Sequence, residues 1–400
     1  MKTKEFERKH KEDKPVVAIC YDFDKTLSPD DMQAQGYIQS IEYKVEDFWT
    51  ESNELAQNND MDQNLAYMFK MVTCAEGVHI VNKEKLAEYG SKVRLFPGVN
   101  DWFERIRAYG KQHGVIVEHY IISSGLKEMI EGTEMAKNGA FEKIYASSYY
   151  FNEKGLAVWP AQVVNYTNKT QFLFRIEKGV LDVNDPGVND YFQQEEMRVP
   201  FRNMIYIGDS DTDIPCMKLV NSYGGHSIGV YNPETRDKEK VYKMMKDNRV
   251  KFFAAADYTE NSYLDKLVKA IIERTSKNEK LESFHYANKK EVIEADKSDK
   301  RNEEDQKKDS LIAELRSSGS FAFTHLIIRQ LKEYKTWSEE QVDELCAIVV
   351  NNMQVAWILG DEDVCAFYAN LLKGKSVKTE YRVKASSMLK GRCLKKGIEE

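Results

Sequence analysis

No apolar run in this chain approaches the roughly 18 residues that a membrane-crossing helix needs, and residues 1–14 are charged throughout, with no hydrophobic stretch of the kind a secretory signal carries. The location expected on these grounds is the cytoplasm. The six cysteines (Cys20, Cys74, Cys216, Cys346, Cys365, Cys393) include no C-x-x-C pair, which predicts reduced, mostly buried thiols. None of the seven histidines stand at H-x-x-x-H spacing, which argues against a zinc site on one helical face. A basic excess is lacking too: 58 Lys and Arg face 65 Asp and Glu, for a formal net charge of -7. Binding nucleic acid through overall charge is thereby excluded. There is no internal repeat.

Present instead are 400 residues with 42% hydrophobic and 31% charged side chains, enough for a large packed core and two or three domains. Residues 15–21 (PVVAICY) form a short, nearly continuous apolar run, the pattern of a strand buried on both faces of a parallel sheet. The pattern returns at residues 115–122 (VIVEHYII) and 204–207 (MIYI). Each run ends in polar residues: Asp22 and Asp24, then Ser123, Ser124 and Gly125, then Gly208 and Asp209. In an open α/β sheet the ligand crevice lies at the carboxyl ends of the strands, so three such ends converge on one site if their strands are neighbours. Shorter apolar stretches at 226–230 and 252–256, with amphipathic segments at 99–108 and 264–273, complete a doubly wound parallel sheet.

The expected α/β core covers residues 14–30 and 96–275. Residues 31–95 interrupt it with helical patterns and no strand pair, and read as an inserted helical cap. Residues 144–158 read as a hairpin about a turn at 152–155. Residues 276–309 read as a charged linker or solvated helix, since 289–309 is almost wholly polar. A small all-helical module is expected over 310–373, where Ser338 and Gln341 form a capping-box signature, and a solvated basic tail over 374–400.

The chemistry concentrates in the first strand's end. In Asp22-Phe23-Asp24-Lys25-Thr26-Leu27 the alternation of side chains lets both carboxylates face one crevice. One can attack phosphorus while the other, kept protonated, supplies a proton to the leaving oxygen. Alone, a D-x-D pair is more often a solvated turn; here it is followed by two more polar strand ends. Asp209, Asp211 and Asp213 also imitate the start of a calcium loop, but Ile214 replaces the glycine and Val220 the bidentate glutamate that such a loop requires.

Asp22, Asp24 and Thr26 after an apolar strand resemble the D-x-D-x-T motif of the haloacid dehalogenase-like hydrolases. Ser123 resembles that family's second motif, with Ser124 one register away and Gly125 beside it, and Gly208, Asp209 and Asp213 resemble its G-D-x-x-x-D motif. The third motif is a lysine, for which Lys169 is the best match and Lys127 and Lys178 are weaker ones. The resemblance, over residues 14–275, implies a phosphatase in which Asp22 is the nucleophile and Asp24 the general acid and base. Thr26 would support the loop, and Ser123, Ser124, Gly125 and Lys169 would bind phosphate. Mg²⁺ would be held by Asp22, the backbone carbonyl of Asp24, and Asp209, while Asp213 would orient the lysine or a metal-bound water.

A cap between the first two motifs and the S-S-G sequence look most like the phosphoserine phosphatase branch, and the implied substrate is a small phosphorylated metabolite. A departure stands against phosphoserine itself: residues 30–93 contain no arginine to hold a substrate carboxylate, leaving Lys44, Lys70 or Lys83 without a guanidinium's bidentate fork. Two alternatives remain: a phosphotransferase or mutase of the same fold, and a regulatory phospho-ligand-binding protein that recruits a protein partner through residues 310–373. No membrane and no nucleic acid are expected among the partners.

Overall fold

The computed structural model describes residues 5–297, 303–374 and 379–393. Seven strands form one sheet: β1 (Val16–Tyr21), β2 (Ile116–Leu126), β3 (Lys143–Phe151), β4 (Ala157–Gln162), β5 (Met204–Gly208), β6 (His226–Tyr231) and β7 (Phe252–Ala255), in the order β4-β3-β2-β1-β5-β6-β7. Every neighbouring pair is parallel except β3 with β4, the hairpin expected from the aromatic and β-branched residues that flank the turn at residues 152–155. β1 lies between β2 and β5, with Tyr21 level with Ile121 on one side and Ile207 on the other. The chain therefore leaves all three strands side by side, and the polar residues that follow them meet.

The period of two along β1 explains why its run is apolar on both faces. Val17, Ile19 and Tyr21 join one core, while Val16, Ala18 and Cys20 join the other. The first core takes Trp102, Phe103 and Ile106 from the helix Val99–Gln112. The second takes Phe172, Leu173 and Ile176 from the helix Thr170–Lys178, and Cys216, Met217 and Val220 from Ile214–Ser222. Under the site, Trp102 Nε1 donates to the Tyr21 hydroxyl at 2.7 Å, and that hydroxyl meets His119 Nδ1 at 3.0 Å. His119 Nε2 faces the Phe103 carbonyl at 3.1 Å, which fixes the proton on that nitrogen and leaves Nδ1 to accept from Tyr21.

The segment between β1 and β2 is helical: Tyr37–Ser40, Val45–Asn58, Gln63–Thr73 and Lys83–Gly90. Asp62 caps the third of these by accepting from the N–H groups of Asn64 and Leu65, and Asn82 caps the fourth through Lys85. Phe48, Met68, Met71 and Leu86 belong to the same core as β1's odd residues.

The chain divides into two compact units, residues 1–288 and 289–400. The helix that starts at Tyr263 runs to Lys297, far past the expected 264–273, because the charged stretch continues as a solvated helix. In the second unit a helix already begins at Glu303, inside the stretch read as linker, and buries Ile312 and Leu315. The helices Phe321–Leu331, Glu339–Asn351, Met353–Trp357 and Glu362–Leu372 follow. The expected capping box forms, with Gln341 N donating to Ser338 Oγ at 3.1 Å and Ser338 N to Gln341 Oε1 at 3.2 Å. The basic stretch departs from the expected solvated tail, since Glu380–Cys393 is a helix whose Ala385 is buried. It is held by the Arg382 guanidinium, which pairs with Glu339 at 2.7 Å and Asp343 at 2.5 Å. Lys375, Lys378, Lys395 and Lys396 lie outside the described residues. Cys20, Cys216 and Cys346 are buried free thiols and Cys74 a half-buried one. Cys365 is disulfide-bonded, correcting the expectation of thiols reduced throughout; spacing along a chain does not say which thiols helix packing brings together. No described helix is long and apolar enough to cross a membrane.

Candidate active site

Asp22 is the first residue beyond β1, and its N–H donates to the Ile207 carbonyl at 3.0 Å, extending the β1–β5 ladder by one rung. The chain then turns sharply. Lys25 takes a positive φ of 58°, and the Phe23 carbonyl accepts from the N–H groups of Thr26, Leu27 and Ser28. Thr26 supports this loop through its backbone, its carbonyl accepting from the Tyr258 hydroxyl at 2.8 Å, while its own buried Oγ1 has no partner. Asp24 swings toward the cap, where its Oδ1 accepts from the Met32 N–H at 2.8 Å. Gly125 leaves room for it: a Cβ there would lie 2.9 Å from Asp24 Oδ2 and 2.3 Å from Met32 Cε.

Lys169 ends the turn Tyr166–Lys169 and leads into the helix Thr170–Lys178, whose apolar face carries it into the second core. Fully buried, its Nζ lies 2.7 Å from Asp213 Oδ1 and 3.3 Å from Asp22 Oδ1. Lys127 pairs instead with Glu131, and Lys178 donates to the carbonyls of Val188 and Asp190, so of the three candidate lysines only Lys169 reaches Asp22. Asp213 Oδ1 also accepts from the Tyr206 hydroxyl at 2.9 Å, and Oδ2 from Ser210 N at 3.1 Å and Ser210 Oγ at 3.0 Å. This fold-back requires Gly208, where a Cβ would stand 2.4 Å from Asp213 Oδ2.

Carboxylate oxygens of Asp22, Asp209 and Asp213 lie within 4.8 Å of one another, all three residues buried. Asp213 accepts four hydrogen bonds from protein donors, the full capacity of a carboxylate. Asp22 and Asp209 are thus the pair with lone pairs to spare, and one or two carboxylates with phosphate and water are what Mg²⁺ takes. The charge balance fits a cation here. Burial pushes Asp22 up to about 6, against the pull of Lys169 and with a push from Asp213. Burial raises Asp209 to about 7 despite Lys240, whose Nζ is 3.5 Å from its Oδ2, with Asp213 and Asp22 adding to the rise. Asp24 is held well above the ordinary aspartate range by burial, then by Asp31 and Asp22. Burial opposes the Lys169 ammonium, yet Asp213 and Asp22 keep its pKa above that of an ordinary lysine.

Ser123 is fully buried at the end of β2's core run, accepting from Gly125 N at 3.1 Å and lowering the Asp22 pKa by hydrogen bonding. Ser124 is half-buried; its carbonyl accepts from the Tyr67 hydroxyl of the cap at 2.8 Å, and its Oγ is unpaired. The structure thus brings Asp22, Asp24, Ser123, Gly125, Lys169, Asp209 and Asp213 to one edge of the sheet. Of the three candidate cap lysines, Lys70 pairs with Glu51 and lies against the rings of Tyr43 and Phe48, Lys83 pairs with Glu131, and Lys44 is exposed. Sequence reasoning missed Tyr206, Ser210, Lys240, Met32 and Tyr67. Of these only Ser210 carried a signal, lying inside the G-D-x-x-x-D stretch.

A protein from Borreliella burgdorferi strain B31, uncharacterized, is 28% identical over 277 residues, covering 62% of this chain and 94% of that one. Among solved structures, a haloacid dehalogenase family hydrolase from Salmonella enterica serovar Typhi aligns with a TM-score of 0.43 and 15% identity, over 65% of this chain and 73% of its own. A probable phosphoserine phosphatase from Vibrio cholerae aligns with a TM-score of 0.43 and 12% identity, over 67% and 69%. The family model for haloacid dehalogenase-like hydrolases matches residues 19–218, half of the chain, a span that includes Asp22, Asp24, Ser123, Gly125, Lys169, Asp209 and Asp213. The chain belongs to the haloacid dehalogenase-like hydrolases.

Proposed function

We propose that this protein is a Mg²⁺-dependent phosphatase that hydrolyses a small phosphate monoester through an aspartyl-phosphate on Asp22. The observation that carries the reading is the placement of Lys169, with its ammonium between Asp22 and the saturated Asp213. That arrangement leaves the second Asp22 oxygen free to attack and sets a positive charge where a phosphoryl group carries negative charge. As Asp22 bonds to phosphorus, the ester P–O bond breaks and its electron pair goes to the leaving oxygen, which takes the proton from Asp24. The raised pKa of Asp24 suits a residue that must hold that proton near neutrality. Asp24, now ionised, accepts a proton from water as the water oxygen attacks the same phosphorus. The bond to Asp22 then breaks, releasing phosphate and restoring both carboxylates.

Ser123 and the N–H groups of the irregular end of β2, where the register with β3 shifts between Ser123 and Leu126, are suited to the phosphoryl oxygens, and Asp213 acts through Lys169 as its positioning partner. Mg²⁺ bound by Asp22 and Asp209 would neutralise charge building on the phosphoryl group. The buried position of Asp22, Lys169 and Asp213 excludes water other than the one that reacts, which requires the cap to open for substrate.

Release of phosphate from an aryl phosphate tests the proposal. Hydrolysis is expected only with Mg²⁺ present, and Asp22→Asn lowers it at least about 10³-fold. Turnover that survives both chelator and Asp22→Asn would overturn the phosphoaspartate route.

A further inference from the structure

Buried polar atoms without partners are rare, and each calls for an explanation. Among the described residues, Trp49 Nε1 and Ser52 Oγ in the cap, Ser124 Oγ at the end of β2 and Glu128 Oε2 in the helix that follows it are four of them. Trp49 and Ser124 border the seam where the cap helix Gln63–Thr73 meets the core. Tyr67 is the hub of that seam. Its hydroxyl donates to the Ser124 carbonyl at 2.8 Å, and its ring lies edge-on to Trp49 at 5.8 Å. Besides burial, Asp24 and Glu128 both raise its pKa, so its phenol lies in the field of the acid–base residue and of Glu128 together.

Glu128 itself is 4% exposed. Oε1 accepts from Tyr149 N at 3.1 Å, and the Tyr149 hydroxyl donates at 2.7 Å to the carbonyl of Met68, the neighbour of Tyr67. Oε2 accepts nothing. The cations nearby are committed elsewhere, Lys127 and Lys83 to Glu131 and Lys70 to Glu51. A carboxylate in this position costs free energy until a donor reaches it. The cap, meanwhile, presents the Tyr67 hydroxyl and the paired rings of Trp49 and Tyr67 on this side.

We propose that the seam of Tyr67, Ser124 and Glu128 seats the leaving group of the phosphate ester, and that this group brings an ammonium or hydroxyl donor to Glu128 instead of a second anion. The assignment rests on the phosphatase reading and names its substrate class, a phosphorylated amino alcohol or polyol. A carboxylate or second phosphate meets a buried acid there, with Lys127, Lys83 and Lys70 already paired to glutamates, so such esters are poor substrates. Glu128 is a specificity residue in this scheme and takes no part in the bond changes at phosphorus.

The full-length protein with Mg²⁺ is tested on three esters of similar size: phosphoethanolamine, ethyl phosphate and phosphoglycolate. The wild type is expected to favour phosphoethanolamine over ethyl phosphate by at least about tenfold in kcat/KM, with phosphoglycolate last. In Glu128→Gln the ratio of the first two falls toward one, chiefly through KM. A ratio is read because any general loss of activity cancels from it. Equal use of the three esters, a preference for phosphoglycolate, or a ratio unchanged in Glu128→Gln would each overturn the assignment. If the variant does not fold, the wild-type order alone decides. If no ester is hydrolysed, the phosphatase reading fails by itself. Calorimetric binding of phosphoethanolamine and phosphoglycolate to the wild type then decides the assignment: tighter binding of the amine supports it, and equal or reversed affinity overturns it.

Discussion

The two ends of the sheet bury carboxylates in opposite ways. At the amino end Glu118 of β2 is gripped by the Arg198 fork at 2.7 and 2.8 Å, by Lys9 at 2.6 Å and by the Tyr120 hydroxyl at 2.6 Å. Burial works against its charge, but Arg198 foremost, with Lys9 and Tyr120, brings its pKa down to about 2. At the carboxyl end there are four aspartates, Asp22, Asp24, Asp209 and Asp213, but one buried cation, Lys169, which pairs with Asp22 and Asp213, and burial carries Asp22 and Asp209 up to about 6 and 7. Burial alone does not set the sign; the count of partners does. One end stores stability and the other holds charge in excess, which a cation and a phosphoryl group relieve or exploit.

The largest expected break of this contrast is Arg198→Met. Removing the fork leaves a buried carboxylate with Lys9 and Tyr120 alone, and the cost expected is about 3 kcal/mol in urea unfolding at neutral pH. The same pair governs the acid limb. Because the folded pKa of Glu118 lies below its ordinary 4.5, its contribution is complete above about pH 4.5 and drains away as pH falls toward 2. Two and a half units correspond to about 3 kcal/mol, and Arg198→Met flattens that slope. A variant as stable as the parent across this window would show that the fork is ornamental.

The carboxyl end was the more legible of the two in the sequence. Asp22, Ser123 and Asp209 follow apolar strands directly, and strand ends in a parallel sheet converge, so contiguous residues sufficed to find them. Lys169 needed the order of motifs along the chain, since nothing local separates it from Lys127 or Lys178. Tyr206 was hidden because the run MIYI reads as core, although its hydroxyl reaches Asp213. Glu118 looked like a stray charge in a strand; its cationic partners, Lys9 and Arg198, stand 109 and 80 residues away in sequence. The helix Glu380–Cys393 escaped for the same reason, since a basic stretch reads as solvated until Arg382 is seen to meet Glu339 and Asp343.

Asp22→Asn is the counterpart at the other end, with the opposite sign. A group whose folded pKa is raised to about 6 is charged at a cost above that pH. Its neutral isostere is therefore expected to stabilise the metal-free protein by on the order of 2 kcal/mol at pH 7.5 while abolishing turnover. Differential scanning calorimetry in chelator reads the change. A lower Tm would mean that the contact with Lys169 outweighs repulsion and burial, and the contrast between the two ends would collapse.

The smallest effect sharpens the comparison further. Tyr206→Phe removes one neutral donor from Asp213 and leaves Lys169 and Ser210 in place. A single hydrogen bond of this kind is worth about 1 kcal/mol in stability. Freed of it, Asp213 Oδ1 has a lone pair to spare and can shift with Lys169, so kcat on an aryl phosphate should fall several-fold with KM little changed. If KM rises instead while kcat holds, Asp213 serves substrate binding directly, and its four hydrogen bonds do not mark a residue whose work is to position the lysine.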